Sequence, residues 1–228
     1  MVLPYPVIIT GKDTVNTPAV LRELAKVVGG SARNFENILK GKKILCMVTS
    51  DWEDIELTAP TMELIYRGAT YTVGVFEQEM KSRPALPVDF RVREGSFGTS
   101  VPFQEIPQDY YKILKKEEIG LGNFDLVWIP GAFNPWQITV LHLDFLKKAY
   151  NAGKIVASIC HGPIPVAAAG LAKGKKMTGW DACKDPIEIM GGTFKPEWAA
   201  AIDGRIVTGK TPPQVPEFVD AITAALLK

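Results

Sequence analysis

Two histidines, His142 and His161, are all that 228 residues supply, so a His-rich metal site has little to be built from. Neither stands in HExxH spacing, which removes the zinc-protease reading. Cysteine is scarce as well. Cys46, Cys160 and Cys183 make an odd number without CxxC spacing, a poor basis for a secreted disulfide framework. An excess of charge of one sign is missing too. With 26 Lys and Arg against 25 Asp and Glu, the net charge is +1. The basic surplus of a nucleic-acid binder is absent, and an acidic disordered chain is excluded. No apolar run approaches the roughly 18 residues of a bilayer span. Met1 to Thr10 lacks a basic start and is broken by Pro4 and Pro6, which makes it a poor signal peptide. GxGxxG does not occur, so the simplest dinucleotide site is also excluded. The expectation is a cytoplasmic protein with free thiols, without nucleic-acid or membrane partners. Hydrophobic residues at 46% and charged residues at 22% are ordinary for a globular chain, and 25.0 kDa buries a core without disulfide staples.

Residues 1–40 read as an N-terminal arm that packs on the main domain or on a partner subunit. Pro6 to Thr10 is strand-like, and Val20, Leu21, Leu24, Val27 and Val28 recur at helical spacing before Gly29-Gly30. From residue 41 to 228 the pattern is that of one α/β domain. Ile44 to Val48, Ala69 to Phe76, Phe124 to Ile129 and Lys154 to Ile159 read as strands, three of them continuous apolar runs buried on both faces. Amphipathic segments alternate with them, through Met62, Leu64 and Ile65, and through Ile138, Leu141, His142, Phe145 and Ala149. Tyr110 to Ile119 reads as a helix with a solvated Lys115 to Glu118 face. Lys81 to Ser100 is a Pro-, Gly- and charge-rich insertion. Ile206 to Thr208, a Pro-rich turn and a helix carrying Phe218, Val219, Ile222 and Leu226 close the chain. Buried strands alternating with helices predict a mostly parallel sheet between helical layers.

Ligands of such sheets sit at the carboxyl ends of the strands, and three strands end unusually. Ser158-Ile159-Cys160-His161-Gly162 has the small-x-nucleophile-x-small form of a cysteine nucleophile elbow. A tight turn there brings positions 158 and 162 together, so only small side chains fit. The helix opened by Pro163 aims N–H groups at the sulfur, and its dipole is expected to lower the thiol pKa. Cys46 and Cys183 read as buried structural thiols. The first strand runs into Asp51-Trp52-Glu53-Asp54-Ile55-Glu56. Pro60 forfeits a bond to the Glu56 carbonyl, which predicts a regular helix beginning near or after Glu56. This places a carboxylate at the same sheet edge as Cys160. Spacing alone does not single out Glu56, and three of the four acidic residues read as a solvated loop. Pro130-Gly131-Ala132 ends a third strand, where backbone N–H groups can approach a substrate oxygen. With the N–H of His161 they make a candidate oxyanion hole. His142 follows the apolar spacing of its helix and reads as a partly buried core histidine.

Together these residues resemble the ThiJ/PfpI family of the class I glutamine-amidotransferase-like superfamily. The similarity is carried by Lys43-Ile44-Leu45, the acidic run to Leu57 with Pro60, Val127 to Gly131, Ser158 to Pro163, Met177 to Trp180 with Lys184-Asp185, and Ile206 to Thr208 with Pro212 and Phe218. The resemblance implies a flavodoxin-like three-layer sandwich, assembled as a homodimer or a larger homo-oligomer. It implies Cys160 as nucleophile, Glu56 as the acid against the sulfur, and His161 as backbone donor and proton carrier. Gly131 and Ala132 line the anion pocket, and Trp180 is a candidate for an aromatic wall with Trp52, Phe133 and Trp136. A carboxyl beside a thiolate is expected to share a proton with it, because two adjacent anions repel.

Two departures from the family are visible. The usual Gly-Gly is Gly131-Ala132, and Trp136, after Asn134 and Pro135, stands where peptidase-like members place a Glu that completes a triad. No cofactor or metal is implied. The activity expected first is that of a cysteine-dependent glyoxalase or deglycase acting on small reactive carbonyls. A cysteine peptidase or amidase is the second expectation. The third is a non-enzymatic stress chaperone or redox sensor that uses the reactive thiol.

Overall fold

A computed structural model of the chain describes residues 14–30, 34–48, 52–75, 93–94, 100–103, 106–132 and 140–228. In chain order the elements begin with α1 (Thr17–Val27), β1 (Lys43–Val48), α2 (Asp54–Tyr66) and β2 (Thr70–Val75). Two short strands, β3 (Arg93–Glu94) and β4 (Ser100–Val101), pair antiparallel inside the insertion. Then come β5 (Tyr111–Lys115), β6 (Leu126–Ile129), α3 (Val140–Asn151), β7 (Ile155–Ile159) and α4 (Pro163–Ala168). The chain closes with β8 (Lys176–Met177), α5 (Lys184–Ile189), β9 (Thr193–Phe194), β10 (Ala200–Asp203), β11 (Ile206–Gly209) and α6 (Val215–Leu226).

Among the described residues the main sheet has seven strands in the order β10-β11-β7-β6-β1-β2-β5. Its pairings are parallel except that of β10 with β11. Because strand side chains alternate between faces, β1 feeds two cores. Ile44, Cys46 and Val48 face Leu57 and Leu64 of α2 and Phe218 and Ile222 of α6. Leu45 and Met47 face Leu146 of α3, Val166 of α4 and Ile187 of α5. Helices on both faces remove both sides of the strand from water, which explains its unbroken apolar run. The result is the flavodoxin-like three-layer sandwich. No helix among the described residues is long and apolar enough to cross a membrane.

Strand order fixes where a site can form. From β1 the chain moves through β2 to β5 at one edge, then returns to β6 on the other side of β1 and continues through β7 to β11. The direction of winding therefore reverses between β1 and β6. A crevice opens at such a switch point, beyond the carboxyl ends of the strands.

Three expectations are corrected. Tyr110 to Ile119 is not a helix: Tyr111–Lys115 is β5, parallel to β2 with Tyr71 opposite Tyr111. It is an edge strand whose Lys112 and Lys115 are exposed, a common way to discourage pairing with another chain. The charged run that suggested a helix face is a 3-10 turn, Lys116–Glu118, where Glu118 Oε2 accepts the Lys115 N–H at 2.7 Å. Second, α2 starts at Asp54 and carries Pro60 inside it. The bond lost at Pro60 is offset by a cap, since the Glu53 side chain accepts the Glu56 N–H at 2.8 Å. Third, the acidic run is not a solvated loop around one buried member. Asp54 is buried beside Glu56, and Glu53 is half-buried.

In the N-terminal segment the helix is present as α1. Val15 and Pro18 are buried, while Leu21, Leu24 and Val28 of the predicted apolar stripe are exposed. Pro6 to Thr10, Phe76 and most of the insertion lie outside the described residues. So do Phe133, Asn134, Pro135 and Trp136, and the His142 side chain.

Candidate functional site

Three neighbouring strands deliver one group each to the crevice: β1 leads to Glu56, β6 to Gly131 and β7 to Cys160. Cys160 follows β7 directly and adopts φ +57°. A side chain in this left-handed region is strained by roughly 1–3 kcal/mol and persists only where the surroundings enforce it. Those surroundings are visible. The Cys160 N–H donates to the Gly209 carbonyl at 3.2 Å, and the Cys160 carbonyl accepts the Trp180 N–H at 2.9 Å. The Cys183 thiol donates to the same carbonyl at 3.0 Å. Behind the turn, a Cβ on Gly162 would lie 3.0 Å from the Ser158 Cβ and 2.9 Å from the Ile159 carbonyl oxygen. The small residues at 158 and 162 meet as the sequence requires.

Glu56 sits in the first turn of α2 and is completely buried. Gly131 is packed against it. A Cβ at that position would overlap the Glu56 Oε2 and lie 2.8 Å from the Cys160 Cβ. Only the bare backbone of glycine lets strand end, carboxyl and cysteine come this close. The loops after β1 and β6 are also tied together. Trp52 and Ala132 form an isolated antiparallel bridge, and the Glu53 N–H donates to the Gly131 carbonyl at 2.9 Å.

The electrostatics follow from burial. Desolvation first, and then the charge of Glu53, push the Glu56 carboxyl up to about 8. The Cys160 thiol and the Gly131 N–H favour its anion. Neither closes a hydrogen bond of good geometry, so both Glu56 oxygens are buried without a partner. The Cys160 thiol is pushed well up, first by burial and then by the Glu56 charge and hydrogen bond; the His161 N–H pulls the other way. The expected lowering by a helix dipole is therefore corrected. α4 has only six residues, and removal from water outweighs its end charge. The second and third causes both need an ionised Glu56. With a proton on that carboxyl they vanish. The pair thus holds one negative charge at most in ordinary conditions, shared between oxygen and sulfur.

His161 Nδ1 lies 3.4 Å from Cys160 Sγ, and partial burial lowers the imidazole pKa, so the ring is neutral at neutral pH. Trp180, 46% exposed, stands with its ring centroid 6.2 Å from that of His161. Ala132 is half-buried in the bridge to Trp52 and is held by the frame of the site.

The structure thus brings Cys160, Glu56, His161 and Gly131 together and sets Trp180 at the margin. The sequence did not show the cap made by Glu53 or the bond from Cys183, a buried thiol as expected, to the Cys160 carbonyl. The signal for Glu53 was its position three residues before Glu56, the spacing of a cap and its N3 residue. For Cys183 the sequence held no comparable signal, because its contact is made to a carbonyl 23 positions away.

A parallel sandwich with a cysteine in a left-handed turn and a buried carboxyl at the neighbouring strand end defines a class of α/β proteins built around a thiol–carboxyl pair. Comparison with known proteins agrees. The sequence profile of the DJ-1/PfpI family matches residues 42–225, and the chain belongs to that family. It is 29% identical over 225 residues to Protein DJ-1 homolog D of Arabidopsis thaliana, covering 96% of this chain but only 55% of that relative. A deglycase of Pyrococcus horikoshii is 28% identical over 175 residues, covering 75% of this chain and 90% of the other. In fold, the structure of Drosophila melanogaster DJ-1beta superposes with a TM-score of 0.60 at 21% identity, over 81% of this chain and 90% of that one.

Proposed function

We propose that the chain is a Cys160-dependent enzyme acting on small reactive carbonyl compounds, of the glyoxalase or deglycase type. The observation that carries this reading is the buried Glu56 carboxyl, without a hydrogen-bond partner, set against the sulfur of a strained cysteine. Thiol addition to an aldehyde followed by proton movement needs a nucleophile and an acid/base side by side. With methylglyoxal, the Cys160 thiolate adds to the aldehyde carbon, and Glu56 gives its proton to the new alkoxide. The product is a hemithioacetal. Glu56, now a carboxylate, takes the proton from that carbon and returns one to the adjacent ketone carbon. His161 redistributes the O–H protons of the enediol between these steps. A lactoyl thioester on Cys160 results, and water cleaves it to lactate and the free thiol, so one water is consumed overall. A hemithioacetal or hemiaminal of methylglyoxal enters the same route when Cys160 bonds to its hydroxyl-bearing carbon and the original C–S or C–N bond breaks, the freed thiol or amine leaving with a proton from Glu56.

Lactate formation from methylglyoxal without glutathione tests the proposal. Turnover by the wild type and its loss in both Cys160→Ser and Glu56→Gln is expected. Absence of turnover in the wild type, or a Cys160→Ser variant as active as the wild type, overturns it.

One contact favours amide hydrolysis as a second reading: the neutral His161 ring beside the sulfur. A cysteine peptidase also orients its imidazole with a third group. Among the described residues no carboxylate is hydrogen-bonded to His161, so this reading ranks below the first.

A further inference from the structure

We propose that Glu53 is a positioning residue that keeps the shared proton on Glu56 and so leaves the negative charge on Cys160. The inference rests on the reading of Cys160 as the nucleophile. Glu53 does two separable things. Its Oε2 accepts the Glu56 N–H at 2.8 Å, and its own N–H holds the Gly131 carbonyl at 2.9 Å, so it caps α2 and joins the two loops of the site. Both tasks need only an acceptor oxygen and a peptide N–H, which glutamine also has. The second contribution is charge. Partial burial raises the Glu53 carboxyl above the ordinary range, and the N–H groups of Glu56 and Ile55 act against that shift by stabilising its anion. Glu56 is fully buried, with neither oxygen hydrogen-bonded. Of the two carboxyls, Glu53 is therefore the one to ionise.

The balance at the site follows. Among the described residues, the titratable groups that bear on the Glu56 carboxyl are Glu53 from the start of its own helix and Cys160 from the turn after β7. Cys183 senses the Glu56 charge from the segment before α5, Asp54 acts on Glu53, and His161 lies against the sulfur. Once the pair has given up one of its two protons, two arrangements compete: thiolate with carboxylic acid, and thiol with carboxylate. A negative charge at Glu53, held on the backbone N–H of Glu56 itself, penalises the second arrangement by repelling a second charge on that residue. Glu53 therefore favours the reactive arrangement without touching the substrate or the sulfur.

The test is the rate at which iodoacetamide alkylates Cys160, followed by peptide mass spectrometry from pH 5 to 10. It needs no substrate. Wild type is compared with Glu53→Gln, Glu56→Gln and the double variant, and thermal melting monitors the fold. Glu53→Gln keeps the cap and loses the charge. Its alkylation above about pH 8, where the pair carries one charge, is expected to fall about three- to tenfold, equivalent to half to one pKa unit in the proton balance. Its profile moves to higher pH, with melting unchanged. In the Glu56→Gln background the same substitution is expected to have no effect, since the carboxyl through which it acts is gone. An unchanged rate in Glu53→Gln overturns the inference. So does an equal loss in both backgrounds, which would mark a purely structural role. If alkylation behaves as expected while methylglyoxal is not turned over, the role of Glu53 stands and the carbonyl substrate falls.

Discussion

Raising the pH should destabilise this protein through one side chain. Folding takes the Glu56 carboxyl from an ordinary value of 4.5 to about 8, chiefly because it is removed from water. At about 1.4 kcal/mol for each tenfold change in the protonation equilibrium, that displacement places up to about 5 kcal/mol of native stability on a single proton. The sign is fixed by the raised native value. Below pH 4.5 both states hold the proton and the native state bears no penalty. Between 4.5 and 8 the unfolded chain releases it freely while the native protein retains it. Stability then falls by up to about 1.4 kcal/mol per pH unit, and the loss is complete as pH rises past the native pKa. The Cys160 thiol is also raised, but its ordinary value of 9.0 keeps it out of this window. Urea denaturation of wild type and Glu56→Gln, at intervals from pH 5 to pH 8.5, isolates the effect. Glutamine carries no titrating proton, so the variant gains stability relative to wild type as pH rises. The expected difference is several kcal/mol between the ends of the range, in an assay that resolves about 1 kcal/mol. A difference that stays flat across the range refutes the reasoning, for it would mean that Glu56 is ionised in the native protein.

Gly131→Ala should drive a methyl group into the Glu56 carboxyl and the Cys160 side chain. A stability loss of about 1–3 kcal/mol is expected from overpacking, with at least a tenfold fall in Cys160 alkylation at neutral pH, measured by denaturation and mass spectrometry. Ser158→Ala should do the opposite of harm. The Ser158 hydroxyl is buried without a partner, and alanine keeps the small side chain that the turn needs, so melting should be unchanged or rise by the equivalent of about 1 kcal/mol.

The sequence made the centre of the sheet legible because β1, β6 and β7 are covered on both faces and therefore apolar throughout. Cys160 was legible for a related reason: the turn tolerates only small residues at 158 and 162, a constraint written in the local chain. The edge strand β5 was not. One side of Tyr111–Lys115 meets water, its lysines mimic a helix surface, and five residues are too few to reveal a period. The burial of Asp54 and the cap made by Glu53 were hidden as well, since polar residues in a helix start look the same whether solvated or enclosed. Glu56 needed the family resemblance, because four acids in six positions cannot be ranked by spacing. The direction of the thiol shift was misread for a physical reason. A helix end is visible in the sequence, whereas the desolvation that outweighs it comes from segments far along the chain.

The bridge between Trp52 and Ala132, with the adjoining bond from Glu53 to Gly131, has a consequence for protein engineering. Two loops 80 positions apart behave as a single cassette. A graft that exchanges only one of them between relatives would leave a stitched seam with half its thread, and the carboxyl would lose its alignment even if every reacting residue were retained. Transplanting the two together, with the helix start attached, is the smallest exchange that moves the chemistry intact.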